Sequence, residues 1–204
     1  SIGIQSFREE DLIFLNRAHN AKQAIESVKH AQEAGFKNIT IDLIYGTQTM
    51  SNEEWEKNLS IAFDLKVQHL SCYSLTIEPR TPLSSYIKKG TAPEVDPQKS
   101  AQQFEILMDQ ARRNDFIHYE ISNFCTEGHY SKHNSSYWKG NNYLGLGPSA
   151  HSFDGNSRQW NVKSNAAYIS TINARVVPFQ LETLTVDQKY NEYILTCLLY
   201  TSDA

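Results

Sequence analysis

The sequence predicts an α/β fold in which parallel strands alternate with helices, as in a partial (β/α) barrel. Short apolar strands recur at intervals of roughly thirty to fifty residues, amphipathic helices lie between them, and the chain starts directly on a strand. Such βαβ units join through right-handed crossovers. Because there are too few units to close a barrel, we predict a truncated barrel of the TIM type, with a small open α/β sheet as the alternative.

Apolar runs that end at glycine or at turn residues predict the strands. The second of them is the clearest, because its β-branched and apolar residues alternate with polar ones up to Gly46. The predicted strands cover residues 3–7, 39–45, 70–75 and 119–124.

Helical spacing of apolar residues and capping signals predict the helices. Ser51 and Glu54 form a capping box in front of one helix, and Asp96 followed by Pro97 begins another. The predicted helices cover about residues 21–34, 55–65, 97–111 and 186–199.

We predict two parts of unequal size. Residues 1–175 form the C-terminal part of a barrel, and residues 176–204 begin an incomplete helical accessory region. The last helix of this region has an apolar face that requires a packing partner. That face consists of Tyr190, Tyr193, Ile194, Cys197 and Leu198.

Composition excludes several classes of protein. The 204 residues are 40% hydrophobic and carry a net charge of −4 without a long basic run, which argues against a nucleic-acid or anionic-membrane partner. No apolar run approaches the length of about 18 residues that spans a membrane, and no signal peptide is present, so we expect a cytoplasmic protein. The cysteines, Cys72, Cys125 and Cys197, are too far apart for a CxxC metal site and odd in number for disulfides.

Two polar residues near the carboxyl ends of strands are candidate ligand contacts. Alternation places Asp42 and Ile44 on the face of the second strand that points inward, where a carboxylate is costly unless something binds it. Gln5 lies near the carboxyl end of the first strand, where parallel sheets bind ligands. The alternatives are that Asp42 bonds to backbone or to Arg17, and that the Gln5 amide is satisfied at a strand end.

A third candidate site combines an imidazole, a side-chain amide and two large aromatic residues with a nearby glycine loop. This combination suits a flat, apolar ligand such as a tetrapyrrole, and the glycines allow close backbone approach. The loop lacks the spacing of dinucleotide and P-loop fingerprints. The alternative is ordinary core aromatics beside a hydrogen-bonded loop histidine. The residues are His133, Asn134, Tyr137, Trp138, Gly145 and Gly147.

Five segments, in order along the chain, together resemble one known family. They are residues 1–7, 16–19, 41–46, 119–124 and 133–153. The chain is similar to the radical-SAM family of oxygen-independent coproporphyrinogen III oxidases and HemW-type heme chaperones. The resemblance implies a partial (β/α) barrel with S-adenosylmethionine and a [4Fe–4S] cluster at its mouth, followed by an accessory domain.

The resemblance also implies roles for individual residues. Gln5, Arg17 and Asp42 match positions that contact S-adenosylmethionine, and Ile44 matches a residue that lines its pocket. The stretch from His133 to Trp138 resembles a motif that marks the chaperone branch and is implicated in heme binding, which makes His133 a candidate heme ligand. His129 and His151 are competing candidates.

Two departures from the family pattern stand out. The cluster-binding CxxxCxxC pattern does not occur, so we expect no cluster ligands in this sequence and interpret the chain as a fragment of a longer protein. After Gly46 the sequence reads Thr47-Gln48-Thr49 in place of a Leu-Pro-Gly-like loop, which predicts a shortened loop.

Three functions follow as hypotheses. The first is a heme chaperone that delivers heme to acceptor proteins. The second is an oxidase that uses S-adenosylmethionine to decarboxylate coproporphyrinogen III. The third is an inert half-barrel that self-associates through the exposed edge of its first strand.

Overall fold

A computed structural model describes residues 1–79 and 81–200, with side chains described up to residue 196. The chain forms two compact units, Ser1–Tyr130 and Ser131–Ala204. The predicted division after residue 175 stays a prediction. Within the described residues, no helix is both long and apolar enough to cross a membrane.

The first unit contains a five-stranded sheet in the order β1-β2-β3-β5-β4. Its first three strands are parallel, as predicted, and β1 lies at the edge. Each connection between them contains a helix, which confirms the mixed α/β class. The strands are β1 (Ile2–Gln5), β2 (Thr40–Tyr45), β3 (His69–Ser74), β4 (Ile117–Glu120) and β5 (Asn123–Cys125).

The predicted single strand over residues 119–124 is wrong. The chain reverses after Glu120, so β4 and β5 form an antiparallel hairpin, and β5 also pairs antiparallel with β3. The Glu120 carboxylate accepts hydrogen bonds from the Ser122 amide at 3.0 Å and from the Asn123 side chain. These bonds to its own following residues stabilise the reversal, and an apolar pattern does not reveal them.

Five helices accompany this sheet. The predicted capping box of Ser51 and Glu54 is confirmed, and the Asp96 carboxylate caps the fifth helix. The first and fourth helices were not predicted, because six or seven residues are too few to display a helical period. The helices are α1 (Glu9–Phe14), α2 (Ala21–Glu33), α3 (Asn52–Asp64), α4 (Pro82–Lys88) and α5 (Pro97–Arg113).

The hydrophobic core lies on one face of the sheet. Ile41 and Leu43 of β2 are fully buried there, together with Trp55 of α3. The Trp55 indole nitrogen donates to the backbone oxygen of Gln103 at 2.9 Å, which satisfies its polar group inside the core. The opposite face, here called the inner face, carries the intermediate positions of β2, as the alternation predicted.

The second unit contains a three-stranded antiparallel sheet that was not predicted. Its strands are polar and partly exposed, so they lack the alternation that identifies a strand in a sequence. The predicted last helix is confirmed, with Tyr190 and Tyr193 exposed, whereas the side chains of Cys197 and Leu198 lie outside the described residues. The elements are α6 (Lys132–Trp138), β6 (His151–Phe153), β7 (Ser157–Asn161), α7 (Asn165–Asn173), β8 (Phe179–Thr183) and α8 (Val186–Tyr200).

Candidate functional site

Asp42 lies on the inner face of β2 and is half-buried. The Ser1 hydroxyl lies 3.3 Å from both of its carboxylate oxygens. Burial raises the pKa of Asp42 above its ordinary value, and hydrogen bonds from Ser1 and Ser71 oppose this effect. No ion pair links Asp42 to Arg17 among the described residues, so the proposed neutralisation by Arg17 is not observed.

The Gln5 side chain and the Asp42 carboxylate both lie close to Gly3. A Cβ atom added to Gly3 would approach Gln5 Nε2 to 2.8 Å and Asp42 Oδ2 to 3.9 Å. A side chain at position 3 would therefore require the end of the Gln5 side chain to shift. The structure brings together two of the residues that the sequence singled out, one amide and one carboxylate.

The backbone of Gln5 is strained. Its φ is 71°, and the Ser6 amide donates to the Ile4 carbonyl at 2.9 Å, which makes Gln5 the central residue of a γ-turn of the rare class. Such strain persists only where the surroundings fix the conformation. His19 contributes to this fixation, since its Nε2 atom lies 2.9 Å from the same carbonyl. The sequence offered His19 only as part of a family motif, without this role.

The two other predicted contacts differ in environment. Arg17 is exposed, whereas Ile44 is half-buried and pairs in register with Tyr73 of β3. The guanidinium group can bind a carboxylate, the Gln5 amide can donate and accept, and the Asp42 carboxylate can accept from hydroxyl or ammonium groups. By their chemistry, these groups could bind a polar ligand that bears both charges.

In the second unit, His133 lies on a short helix and not in a loop. Ser131 caps α6 by accepting from the Asn134 amide at 3.2 Å. One turn apart, His133 Nε2 and the Tyr137 hydroxyl are separated by 3.3 Å, with their rings nearly perpendicular. The Tyr137 ring also contacts Tyr143 at a centroid distance of 4.8 Å. An exposed imidazole therefore stands beside a pair of aromatic rings.

Asn134 and Trp138 are half-buried on the same helix. The indole nitrogen of Trp138 is buried and has no hydrogen-bond partner among the described residues, and the same holds for the Ser135 hydroxyl. Buried indole donors usually find an acceptor. The unpaired donor of Trp138 is thus unusual among the described residues.

Contacts inside the second unit hold both glycines of this loop in place. A Cβ atom on Gly145 would lie 2.1 Å from the His151 carbonyl oxygen, so the two backbones pack directly together. The Gly147 amide donates to the Tyr168 hydroxyl at 3.2 Å, and its carbonyl accepts from Asn161 at 2.9 Å. His151 itself is exposed, and its ring stacks on Trp160.

The described residues do not fit an iron–sulfur cluster. Cys72 and Cys125 are buried free thiols, and burial raises the pKa of Cys72 far above its ordinary value and that of Cys125 to about 11. Raised pKa values oppose the thiolate form that ligates iron. Within the described residues, no group of three or more His, Cys, Asp or Glu side chains could hold a metal ion.

The sequence is similar to several characterised proteins, although it matches no family model. The heme chaperone HemW of Bacillus subtilis is 32% identical over 203 residues, which is 99% of this chain and 54% of the relative. HemW of Lactococcus lactis is 36% identical over 74% of this chain and 40% of its own length. The radical S-adenosyl methionine domain-containing protein 1 of Mus musculus is 35% identical over 74% of this chain and 34% of its own length.

The fold has a match among solved structures. Coproporphyrinogen III oxidase (HemN) from Escherichia coli, a radical SAM enzyme, superposes with a TM-score of 0.78 over 97% of this chain and 48% of its own, at 19% identity. The chain spans about half the length of B. subtilis HemW and of this oxidase. From the sequence identity and the shared fold, the chain belongs to the radical-SAM family of HemN and HemW.

Proposed function

We propose that this chain is part of a HemW-type heme chaperone, which binds heme and delivers it to acceptor proteins. The observation that carries the proposal is the match to B. subtilis HemW, which extends over 99% of the chain. It therefore includes both the strand ends around Gln5 and Asp42 and the helix that bears His133. The geometry of that helix supports the same function.

Heme would be held by α6 and the loop that follows it. His133 is the proposed iron ligand, because its imidazole is exposed and can donate a nitrogen lone pair. The Tyr137 and Trp138 rings would pack against the macrocycle, and the Tyr137 hydroxyl would orient the imidazole through its 3.3 Å contact. Asn134 supplies a nearby amide, and Gly145 and Gly147 add no side chains of their own to the loop.

S-adenosylmethionine would be held by the first unit. Arg17 would pair with its carboxylate, Asp42 and Gln5 would bind its hydroxyl or ammonium groups, and Ile44 would contribute apolar surface. In a radical-SAM protein this cofactor supplies hydrogen-abstracting chemistry when a [4Fe–4S] cluster is present. The described residues contribute no ligands to that cluster, so their proposed part is to bind and orient the cofactor.

The second candidate is an oxygen-independent coproporphyrinogen III oxidase. It rests on the match in fold to E. coli HemN alone. The oxidase would bind a reduced tetrapyrrole without iron, whereas the chaperone would bind heme. The oxidase would also convert its ligand by oxidative decarboxylation.

Absorption titration of the intact protein with heme tests the proposal. We expect the wild type to give a shifted Soret band and His133→Ala to lose it, because the iron loses its ligand. Tyr137→Phe removes only the hydroxyl beside the imidazole, so we expect affinity to fall by about tenfold with the band retained. His151→Ala is the matched control, since His151 is also exposed and lies beside an aromatic ring.

One result would change the proposed iron ligand, and another would reverse the choice of function. If His133→Ala and the wild type bind heme alike while His151→Ala does not, the ligand assignment is wrong but the chaperone remains. If the intact protein binds no heme and decarboxylates coproporphyrinogen III when supplied with cluster and S-adenosylmethionine, the oxidase is correct.

A further inference from the structure

Asp11 is a fully buried carboxylate that belongs to none of the predicted sites. It lies on α1 with 0% of its surface exposed. A charge in such a position is costly unless it is paired and hydrogen-bonded. Its partners therefore indicate what the charge stabilises.

Two different segments of the chain donate hydrogen bonds to the Asp11 carboxylate. The Ser6 hydroxyl donates at 2.8 Å and the Arg8 guanidinium at 2.9 Å, both from the residues that follow β1. The Thr49 hydroxyl donates at 2.6 Å, and that of Thr47 lies 3.4 Å away, both from the residues that follow β2. We call these five residues the Asp11 cluster.

Three further contacts join these segments to each other and to α3. Arg8 donates to the Thr49 carbonyl at 3.0 Å and pairs with Glu54 at 2.7 Å. Asn58 accepts from the Phe7 amide at 2.7 Å. The turn after β1 and the loop after β2 are therefore held as one body.

The Asp11 cluster adjoins the candidate cofactor residues. Ser6 directly follows Gln5, whose γ-turn conformation is strained and must be fixed by its surroundings. Thr47 follows Gly46, just past the end of the strand that carries Asp42. The threonines also belong to the segment in which this sequence departs from a Leu-Pro-Gly-like loop. Two of the three hydroxyl groups near Asp11, those of Thr47 and Thr49, therefore come from this departing segment.

We propose that Asp11 is a positioning residue for the S-adenosyl ligand, acting through Ser6 and Thr49 to hold the Gln5 amide beside Asp42. Asp11 touches no ligand in this scheme. The inference rests on the proposed function, because that function supplies the ligand to be positioned. A small displacement of Gln5 would misalign a donor that the ligand needs, so affinity depends on the cluster.

The test compares variants of the cluster in the intact protein. Isothermal titration with S-adenosylmethionine is expected to give an affinity about tenfold weaker for Asp11→Asn, which keeps the shape and removes the charge. Thr49→Val removes one donor to Asp11 and nearly keeps the size of the side chain, and we expect a smaller loss of affinity in the same direction. Thr49→Ser keeps the hydroxyl and is expected to restore wild-type affinity.

A control separates positioning from general stability. Val28→Ala shortens a buried core side chain on α2, a helix that contributes no residue to the cluster, and lowers the free energy of unfolding. We expect it to leave affinity unchanged. If affinity instead follows stability across Val28→Ala and Asp11→Asn, the role of Asp11 is structural and the inference fails.

Two other outcomes are distinguishable. If the wild type binds S-adenosylmethionine and all Asp11 and Thr49 variants bind it equally, the inference fails while the proposed cofactor site stands. If the wild type does not bind S-adenosylmethionine, the cofactor part of the proposed function fails, and with it the role of Asp11.

Discussion

The two units of the chain present their candidate residues in opposite ways. In Ser1–Tyr130, Gln5 and Asp42 lie on strands whose other face is covered by a continuous hydrophobic core. Among the described residues of the second unit, Leu184 is the one buried hydrophobic residue, and Tyr137 keeps 41% of its surface exposed. One unit holds polar groups in a fixed frame, whereas the other displays aromatic rings.

This difference indicates what each candidate site can do. A rigid frame holds small polar groups at fixed positions, which suits a ligand recognised by hydrogen bonds and charge. Exposed aromatic side chains next to an imidazole suit a large flat ligand that covers them as it binds. A chaperone that must release its cargo needs the second kind of surface, and a cofactor that stays bound needs the first.

The largest expected effect compares two tryptophans. Trp55 is fully buried and Trp138 is half-buried, so Trp55→Ala leaves a cavity whereas Trp138→Ala mainly exposes neighbouring surface. We expect Trp55→Ala to lower the free energy of unfolding by about 3–5 kcal/mol and Trp138→Ala by about 1 kcal/mol. Denaturant unfolding followed by circular dichroism measures both.

Heme titration of the same two variants sharpens the comparison. Trp138→Ala should weaken heme binding despite its small effect on stability, and any Trp55→Ala protein that remains folded should bind heme normally. Equal losses of stability for the two variants would show that the second unit is as well packed as the first, and the contrast would be lost.

The same contrast explains what the sequence could predict. The parallel strands and the capped helices around Trp55 are encoded by local apolar periodicity and by caps, so they were found nearly in place. The hairpin at Glu120 was missed because side-chain hydrogen bonds reverse the chain there. The Asp11 cluster was missed because Thr49 lies 38 residues from Asp11 in the sequence and meets it only in the fold. Its one local signal was the unusual Thr47-Gln48-Thr49 segment.

The next expected effect is the loss of folding stability at acid pH. We assign it to the first unit, in which His69 is buried. Desolvation lowers the pKa of His69 from 6.5 to about 4 in the folded protein, so the unfolded chain takes up the proton first. The stabilising contribution of neutral His69 is therefore complete above pH 6.5 and is lost as pH falls towards about 4. The loss amounts to about 3 kcal/mol, and denaturant unfolding at a series of pH values measures it.

Variants identify His69 as the source of this loss. His69→Gln should remove most of this dependence of stability on pH. Asp42 has the opposite effect on stability as pH falls, because burial raises its pKa and protonation relieves its desolvation. Tyr119→Phe deletes the hydroxyl that lies 2.6 Å from His69 Nε2 but leaves the ring buried. Since desolvation is the main cause, the dependence should persist in Tyr119→Phe. Its disappearance there would assign the effect to the hydrogen bond.

The smallest expected effect compares the caps of two helices, one in each unit. Ser51→Ala removes a bond to the Glu54 amide at the start of the 13-residue α3, and Ser131→Ala removes the equivalent bond at the start of the seven-residue α6. Each loss should cost about 1 kcal/mol. Because α3 packs on the core, Ser51→Ala should lower the free energy of global unfolding.

The cost of Ser131→Ala should instead remain within α6, because a short helix with exposed side chains can open by itself. Hydrogen exchange should then be about fivefold faster at the α6 amides, with little change in the first unit. Since His133 and Tyr137 stay in register only while α6 is formed, heme affinity should fall by a similar factor. Unchanged exchange in α6, together with a loss of global stability, would mean that α6 unfolds only with the whole protein, and the units would then differ in exposure but not in stability.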